Sequence, residues 1–372
     1  VRFNGGISST ARGESSNNMG LVINAPLVEG RLAGRLALYR DDQGGYIDNV
    51  AGTFQADNSI NPTFPGDTVT FAEGTQFADG SVVGAGGLTV PVSKAVANNN
   101  DLLEDDFNDA TYEGARLGLK YVLNDEWDVL VQYSEQSLQS EGVFDYDPTV
   151  GDLEVNRYTP DSLDDEFSQT AWTVNGRLGD LDLIYTGAFL DREVAANIDY
   201  TGYTNIGKFI SGYQCEYLVG SYYNGLSSDT STFYTFDPTI GGDPAVIECG
   251  TPANAARIEN ENTRWTHEAR VASNFAGPFN FQAGVYYEDF EIKHIGDFNY
   301  QAPIAAGFAG IDINSSSTFS NSEANARGRV IPDTQFRNDN TRTEEQTALF
   351  AELTYQVTDN IAITGAARYY DL

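Results

Sequence analysis

Short stretches that alternate strictly between apolar and polar side chains recur in pairs along the chain, and a tight turn joins the two members of each pair. In residues 111–133, for example, Leu117, Leu119 and Tyr121 alternate with polar or small residues, residues 124–126 turn the chain, and Val129, Val131 and Tyr133 continue the pattern. Similar pairs turn at residues 26–30, 179–180, 276–278 and 359–360. With one further strand in residues 1–12, this pattern predicts about eleven antiparallel strands and an all-β fold.

The connections between these hairpins are of a different kind. They span about residues 47–110, 139–167, 194–263 and 293–344, and they are rich in Asn, Asp, Gly, Ser and Pro. Connections this long are uncommon in compact domains unless they are functional or disordered. Short turns that alternate regularly with long loops are typical of a transmembrane β-barrel, which has short periplasmic turns and long extracellular loops.

Alternation alone does not say which face is outside, because a soluble sandwich buries its apolar face and a membrane barrel exposes it to lipid. The loop asymmetry favours the barrel, and the placement of charged and aromatic residues favours it too. Charges fall in mid-strand on the polar face at Arg116, Lys120, Arg177, Glu268, Arg270 and Glu352. Aromatic residues lie near strand ends at Trp127, Tyr133, Trp172, Trp265, Tyr286, Tyr287 and Tyr369.

The composition limits the possible partners. Lys and Arg total 21 against 54 Asp and Glu, which gives a net charge of −33 and argues against nucleic acid as a partner. No apolar stretch is long enough for a transmembrane helix. The first residues have no apolar core like that of a signal peptide, so an export signal would have to precede Val1.

Two runs near the start of the chain carry a family resemblance. Residues 24–40 (NAPLVEGRLAGRLALYR) and 44–49 (GGYIDN) resemble the first barrel hairpins of TonB-dependent outer-membrane receptors, and residues 365–370 (GAARYY) resemble a later barrel strand of that family. The match is specific over about residues 18–50, and elsewhere it depends on the hairpin pattern.

The resemblance implies an outer-membrane receptor of a Gram-negative bacterium that imports a scarce ligand, with energy supplied by the TonB complex through a plug domain. A ferric siderophore or other iron complex is the expected ligand, and cobalamin, haem and oligosaccharide are alternatives. The plug, the TonB box and half of the family's strands are missing from residues 1–372, so we expect about eleven of 22 strands in a partial barrel domain that forms an open, curved sheet.

Two other classes of protein stay open at this point. A passive porin would share the outer membrane but would have a smaller barrel, shorter strands and no plug. A soluble or surface-displayed β-protein acting as an adhesin would bury the apolar face instead of exposing it to lipid.

Nothing in the sequence points to an enzyme, a cofactor or a metal centre. His267 and His294 are far apart, and His267 falls among the apolar positions of its strand. Acidic clusters do not have the spacing of a Ca²⁺-binding loop. We expect solvated loop tips, or divalent cations that bridge to lipopolysaccharide, with a specific Ca²⁺ site as the alternative, at Asp101, Glu104, Asp105, Asp106, Asp109, Asp161, Asp164, Asp165 and Glu166.

The third long connection contains both cysteines, Cys215 and Cys249. We expect a disulfide between them in an oxidising compartment, with two free thiols as the alternative. A disulfide would lower the entropy of ordering this loop for ligand binding. The alternative is that its aromatic residues only pack the loop upon itself. The candidate ligand-binding residues there are Tyr213, Tyr217, Tyr222, Tyr223, Phe233 and Tyr234, with Phe236 beside them.

Overall fold

The computed structural model describes residues 1–55, 68–71, 73–74, 84–91, 96–205, 251–300 and 334–372. Apart from two short 3-10 helices at Asn100–Leu102 and Thr201–Asn205, the regular structure of these residues is β-strand. The strands are β1 (Arg2–Ser9), β2 (Ser15–Val28), β3 (Leu32–Gln43), β4 (Asp48–Asn49), β5 (Thr53–Gln55), β6 (Thr68–Phe71), β7 (Leu88–Pro91), β8 (Val96–Asn98), β9 (Ala110–Asn124), β10 (Trp127–Glu141), β11 (Glu154–Val155), β12 (Ser162–Leu178), β13 (Leu181–Asp199), β14 (Asn254–Ser273), β15 (Phe279–Tyr300), β16 (Thr334–Thr358) and β17 (Ile361–Asp371).

Eleven strands form one antiparallel sheet in the order β1-β2-β3-β9-β10-β12-β13-β14-β15-β16-β17. Every neighbour in the sheet is also the next long strand in sequence, so the sheet is a continuous meander. The remaining short strands form three two-stranded ladders, β4–β11, β5–β8 and β6–β7. The predicted all-β fold with about eleven antiparallel strands is confirmed. β1 and β17 are the two edges of the described sheet, which is open, as expected.

The strands extend further towards the long connections than the sequence predicted. β12 begins at Ser162 rather than near residue 168, and β13 continues to Asp199 rather than ending near residue 193. β14, β15 and β16 reach 20, 22 and 25 residues. The predicted boundaries were wrong because these extensions do not continue the apolar alternation of the rest of each strand. In β13, for example, Val194 and Ile198 fall on the opposite face from Phe189.

The register places the apolar residues of neighbouring strands on one face. Val131 pairs with Leu119 and Trp172, and Trp172 pairs with Gly187, which in turn pairs with His267. The predicted position of His267 among apolar residues is therefore confirmed. These residues belong to an apolar belt that covers about ten residues of each strand from the short turns upwards.

Large apolar side chains of this belt are exposed rather than packed in a core. Leu117 is 43% exposed, Leu349 is 56% exposed and Ile363 is 64% exposed. At the end nearest the long connections, Tyr133, Phe189 and Trp265 are the last belt residues, and Glu135 and Asp191 follow on the same face. A continuous apolar face of this kind needs a cover other than water.

The opposite face of the sheet is polar. Lys120 Nζ lies 3.3 Å from Asp128 Oδ1, and Asn175 Nδ2 donates a hydrogen bond of 3.2 Å to the same oxygen. Further towards the long connections, Arg192 makes two hydrogen bonds to Asp165, of 2.8 and 2.5 Å. These cross-strand contacts confirm that charged residues in mid-strand share one face. None of the described helices is long and apolar enough to cross a membrane.

Candidate functional site

The connections at one end of the sheet fold together into a layer. We use the term loop layer for residues 44–55, 96–109, 142–161, 199–205 and 251–254, which come from three successive long connections. It contains the buried apolar cluster of the described residues, in which Ile47, Phe107 and Val155 are at most 9% exposed, with Tyr46 and Val143 packed against them. This cluster joins the first connection, between β3 and β9, to the second, between β10 and β12.

The GGYIDN run explains how the two connections meet. β4 pairs in parallel with β11, so that Asp48 lies opposite Glu154 and Asn49 lies opposite Val155. Gly45 is in such close contact with Asp106 that a Cβ atom there would lie 1.6 Å from the Asp106 carbonyl oxygen. Only glycine permits this approach of the two backbones.

Asparagine side chains satisfy the backbone groups of this irregular region. Asn108 Oδ1 accepts hydrogen bonds from the Tyr46 and Ile47 N–H groups, at 2.7 and 2.8 Å. Asn99 Oδ1 accepts one from the Gly52 N–H at 2.8 Å, and Asn99 Nδ2 donates to the Val50 carbonyl at 2.8 Å. Amide side chains suit this task because each carries both donors and acceptors.

Asn49 has the largest share in this network and is 4% exposed. Its Nδ2 donates to the carbonyl of Leu102 at 2.6 Å and to that of Arg157 at 3.3 Å. Its Oδ1 accepts from the Arg157 N–H at 2.8 Å and from Asn99 Nδ2 at 3.2 Å. One side chain therefore links three parts of the loop layer.

Asp199 fastens the third connection to the second. Its carboxylate accepts hydrogen bonds from the N–H groups of Tyr158, of Thr159 at 2.9 Å and of Thr201 at 2.8 Å. The Asp199 N–H in turn donates to Asp161 Oδ1 at 2.8 Å. Burial raises the pKa of Asp161, and the hydrogen bond from Asp199 and the charge of Arg157 oppose that shift.

An aromatic pocket of about 900 Å³ is lined by residues of all three connections. Tyr200 stacks on Tyr203 with ring centroids 4.6 Å apart, and Phe54 contacts the Tyr158 ring at 5.8 Å. Tyr200 also contacts Phe298 of β15 at 5.2 Å, which ties the pocket wall to the sheet. Tyr146 adds a further aromatic ring to the lining.

The charged groups around the aromatic pocket are mostly compensated. Arg157 lies between Asp145 and Asp161, with nitrogen–oxygen distances of 3.6 and 3.5 Å. Asp147 accepts hydrogen bonds from the N–H and hydroxyl groups of Thr149, which lower its pKa. Burial raises the pKa of the Tyr158 and Tyr200 phenols, so both stay neutral at physiological pH.

The ligand-binding residues predicted from sequence lie outside the described residues. These are Tyr213, Tyr217, Tyr222, Tyr223, Phe233 and Tyr234, together with Cys215 and Cys249. The aromatic pocket could not be predicted because its aromatic residues are spread singly over three polar connections, outside the segment between the cysteines. Tyr146 and Tyr158, each close to Asp and Pro in a long polar connection, were the available signal.

The acidic residues differ from the expectation in part. Asp161 is 9% exposed rather than a solvated loop tip, and Asp165 lies in β12 with Arg192 as its ion partner. Burial and neighbouring carboxylates raise the pKa of Glu104 and Asp106. Within the part of the chain that the structure describes, no group of three or more His, Cys, Asp or Glu residues is placed to hold a metal ion.

No protein-family model and no curated protein sequence matches this chain. Among solved structures, it is similar to the ferric yersiniabactin uptake receptor of Yersinia pestis, with a TM-score of 0.54, 11% identity, and coverage of 99% of this chain and 38% of the receptor. A mutant of the ferric enterobactin receptor of Pseudomonas aeruginosa is covered to the same extent at 11% identity, with a TM-score of 0.46.

The first of these likenesses defines the fold. The described sheet has the fold of the barrel wall of TonB-dependent outer-membrane receptors, which confirms the family resemblance at the level of the fold. The chain spans about two fifths of the length of the receptor that it matches.

Proposed function

We propose that residues 1–372 are part of the barrel of a receptor in the outer membrane of a Gram-negative bacterium, and that this receptor imports a scarce ligand with energy supplied through TonB. The exposed apolar belt carries the proposal, because a lipid bilayer is the cover that such a face requires. The loop layer lies at one end of the sheet only, as expected of connections that face the medium. No catalytic step is part of the proposal.

Two kinds of partner follow from this placement. Outer-membrane lipid contacts the apolar belt, and lipopolysaccharide head groups lie level with the carboxylates just above it, such as Glu135 and Asp191. Divalent cations would bridge these carboxylates to lipid phosphates. The TonB complex would act through a plug domain, as the family resemblance implies.

The proposed ligand is a ferric siderophore or another iron complex. This choice is supported by the Yersinia pestis receptor, which is described as an uptake receptor for ferric yersiniabactin. The aromatic pocket gives a specific reason to consider a second ligand, an oligosaccharide.

Membrane insertion is tested by extraction of the protein from cells. We expect it to require detergent and to migrate differently on gels before and after heating, because barrels resist unfolding in mild detergent. A protein that stays soluble without detergent and shows no heat-dependent migration would contradict the barrel and favour an adhesin.

Import is tested by growth of a deletion strain on single iron complexes under iron limitation. We expect growth on at least one complex to be lost on deletion of the receptor and also on deletion of TonB. Uptake that continues without TonB would favour a passive porin. Loss of growth on a glycan and on no iron complex would refute the iron ligand and leave the import receptor standing.

A further inference from the structure

We propose that the aromatic pocket binds an uncharged, hydroxyl-rich ring ligand of the saccharide type. This inference takes from the proposed function only the exposure of the loop layer to the medium. It assigns a ligand class to a site formed by Phe54, Tyr146, Tyr158, Tyr200 and Tyr203.

The polar groups of the pocket that are available to a ligand are tyrosine hydroxyls. The hydroxyl groups of Tyr146, Tyr158, Tyr200 and Tyr203 have no hydrogen-bond partner among the residues that the structure describes. Each phenol is both a donor and an acceptor, which matches the hydroxyl groups of a sugar. Four such groups around one cavity therefore favour a ligand with many neutral hydroxyls.

The charged side chains of the pocket are bound to other groups of the protein. Asp199 is held by three backbone N–H groups, Asp147 by Thr149, and Arg157 lies between two carboxylates. Each of these charged groups already has a partner in the protein, although the lining as a whole is net negative, with three aspartates and one arginine. That charge disfavours a polyanion such as a tris-catecholate iron complex, and the unpartnered phenols are the polar groups left to select the ligand.

The shape of the pocket also suits a ring ligand. The volume of about 900 Å³ lies within the range of small-molecule sites. The stacked rings of Tyr200 and Tyr203 form a flat wall, and the Phe54–Tyr158 pair adds a second aromatic surface. Sugar rings combine an apolar face with polar edges, and amphipathic tyrosine side chains complement both.

The test measures binding to the detergent-solubilised protein by calorimetry. The probes are neutral hexasaccharides of glucose (α- and β-linked) and of xylose, with oligogalacturonate, spermine and a ferric tris-catecholate for comparison. We expect at least one neutral hexasaccharide to bind. Tyr158→Phe should weaken its binding about three- to tenfold through a lost hydrogen bond, and Tyr200→Ala should weaken it about tenfold or more.

Tyr133→Phe is the matched control, because its hydroxyl group contacts Glu135 at the edge of the apolar belt, outside the aromatic pocket. It should leave binding unchanged, and heat-dependent migration on gels should be retained by every variant.

The proposal is wrong if no neutral probe binds, if spermine or the iron complex binds in their place, or if Tyr158→Phe and Tyr200→Ala bind like the parent protein. Iron import that continues without saccharide binding would refute this inference alone, whereas saccharide binding by a protein that does not insert into membranes would refute the proposed function alone.

Discussion

At the scale of the residue, Asn49 shows how a loop without regular structure acquires a fixed conformation. It belongs to a run that the sequence marks as a family signature, yet its four hydrogen bonds reach Leu102, Arg157 and Asn99, all distant in sequence. Buried polar groups need partners, and here one amide supplies them to two connections. In this chain the run is held in place by the hydrogen bonds of the loop layer.

We expect Asn49→Ala to destabilise the loop layer by about 3 kcal/mol, because it leaves buried carbonyl and N–H groups without partners. Hydrogen exchange should become faster in residues 44–55 and 153–159, with little change in the long strands. Asn340→Ala removes an exposed amide from β16 and serves as the control. Equal exchange in Asn49→Ala and the parent protein would show that the network does not stabilise this layer.

The raised pKa of Asp161 predicts that the stability of the loop layer depends on pH. Because burial raises its pKa in the folded state, its contribution to stability is present at low pH and is lost as the pH rises through that pKa. Asp161→Asn should therefore protect the loop layer from proteolysis at pH 7 relative to the parent protein, and the advantage should shrink by pH 4. Asp125→Asn, in a short turn at the other end of the sheet, should show no such pH-dependent advantage. A loss of protection at pH 7 in Asp161→Asn would mean that the ion pair with Arg157 outweighs the cost of burial.

At the scale of the element, the sequence predicted the strands well where one face is apolar and poorly where neither is. β10 and its partner β9 alternate clearly, and their short turn was placed correctly. The first half of β16 reads TQFRNDNTRTEEQ, in which no period of two separates apolar from polar residues, so it was assigned to a loop. The aromatic pocket escaped prediction for a related reason, since it assembles from connections that have no pattern of their own.

The two faces of β10 give a direct test of the sheet's orientation. Val131 lies on the apolar belt and the next residue, Gln132, lies on the polar face. We expect Val131→Arg to destabilise the inserted protein by about 2–4 kcal/mol, because its charge meets lipid near the middle of the belt. Gln132→Arg should change stability little. The measurement is the folding equilibrium in lipid vesicles, and the opposite ranking of the two variants would reverse the assignment of the faces.

At the scale of the whole molecule, stability comes from two regions of different kinds. The long strands are held by backbone hydrogen bonds and by an environment that covers the apolar belt, whereas the loop layer has its own buried cluster at Ile47, Phe107 and Val155. The second connection lies at the centre of that layer, since Val155 contacts the first connection and Asp161 contacts the third. The two regions should therefore unfold separately, with the loop layer opening first.

Replacement of residues 142–161 by a short Gly-Ser linker tests this order. We expect the first connection to lose hydrogen-exchange protection throughout residues 44–55, because Val155 and Arg157, a partner of Asn49, are removed with the second connection. The heat-dependent migration of the barrel should remain.

Replacement of Asp359-Asn360 by Asn-Gly, at the opposite end of the sheet, should leave the loop layer unchanged. If residues 44–55 keep their protection in the linker variant, each connection folds independently. If the barrel itself is lost, the loop layer and the sheet form a single cooperative unit.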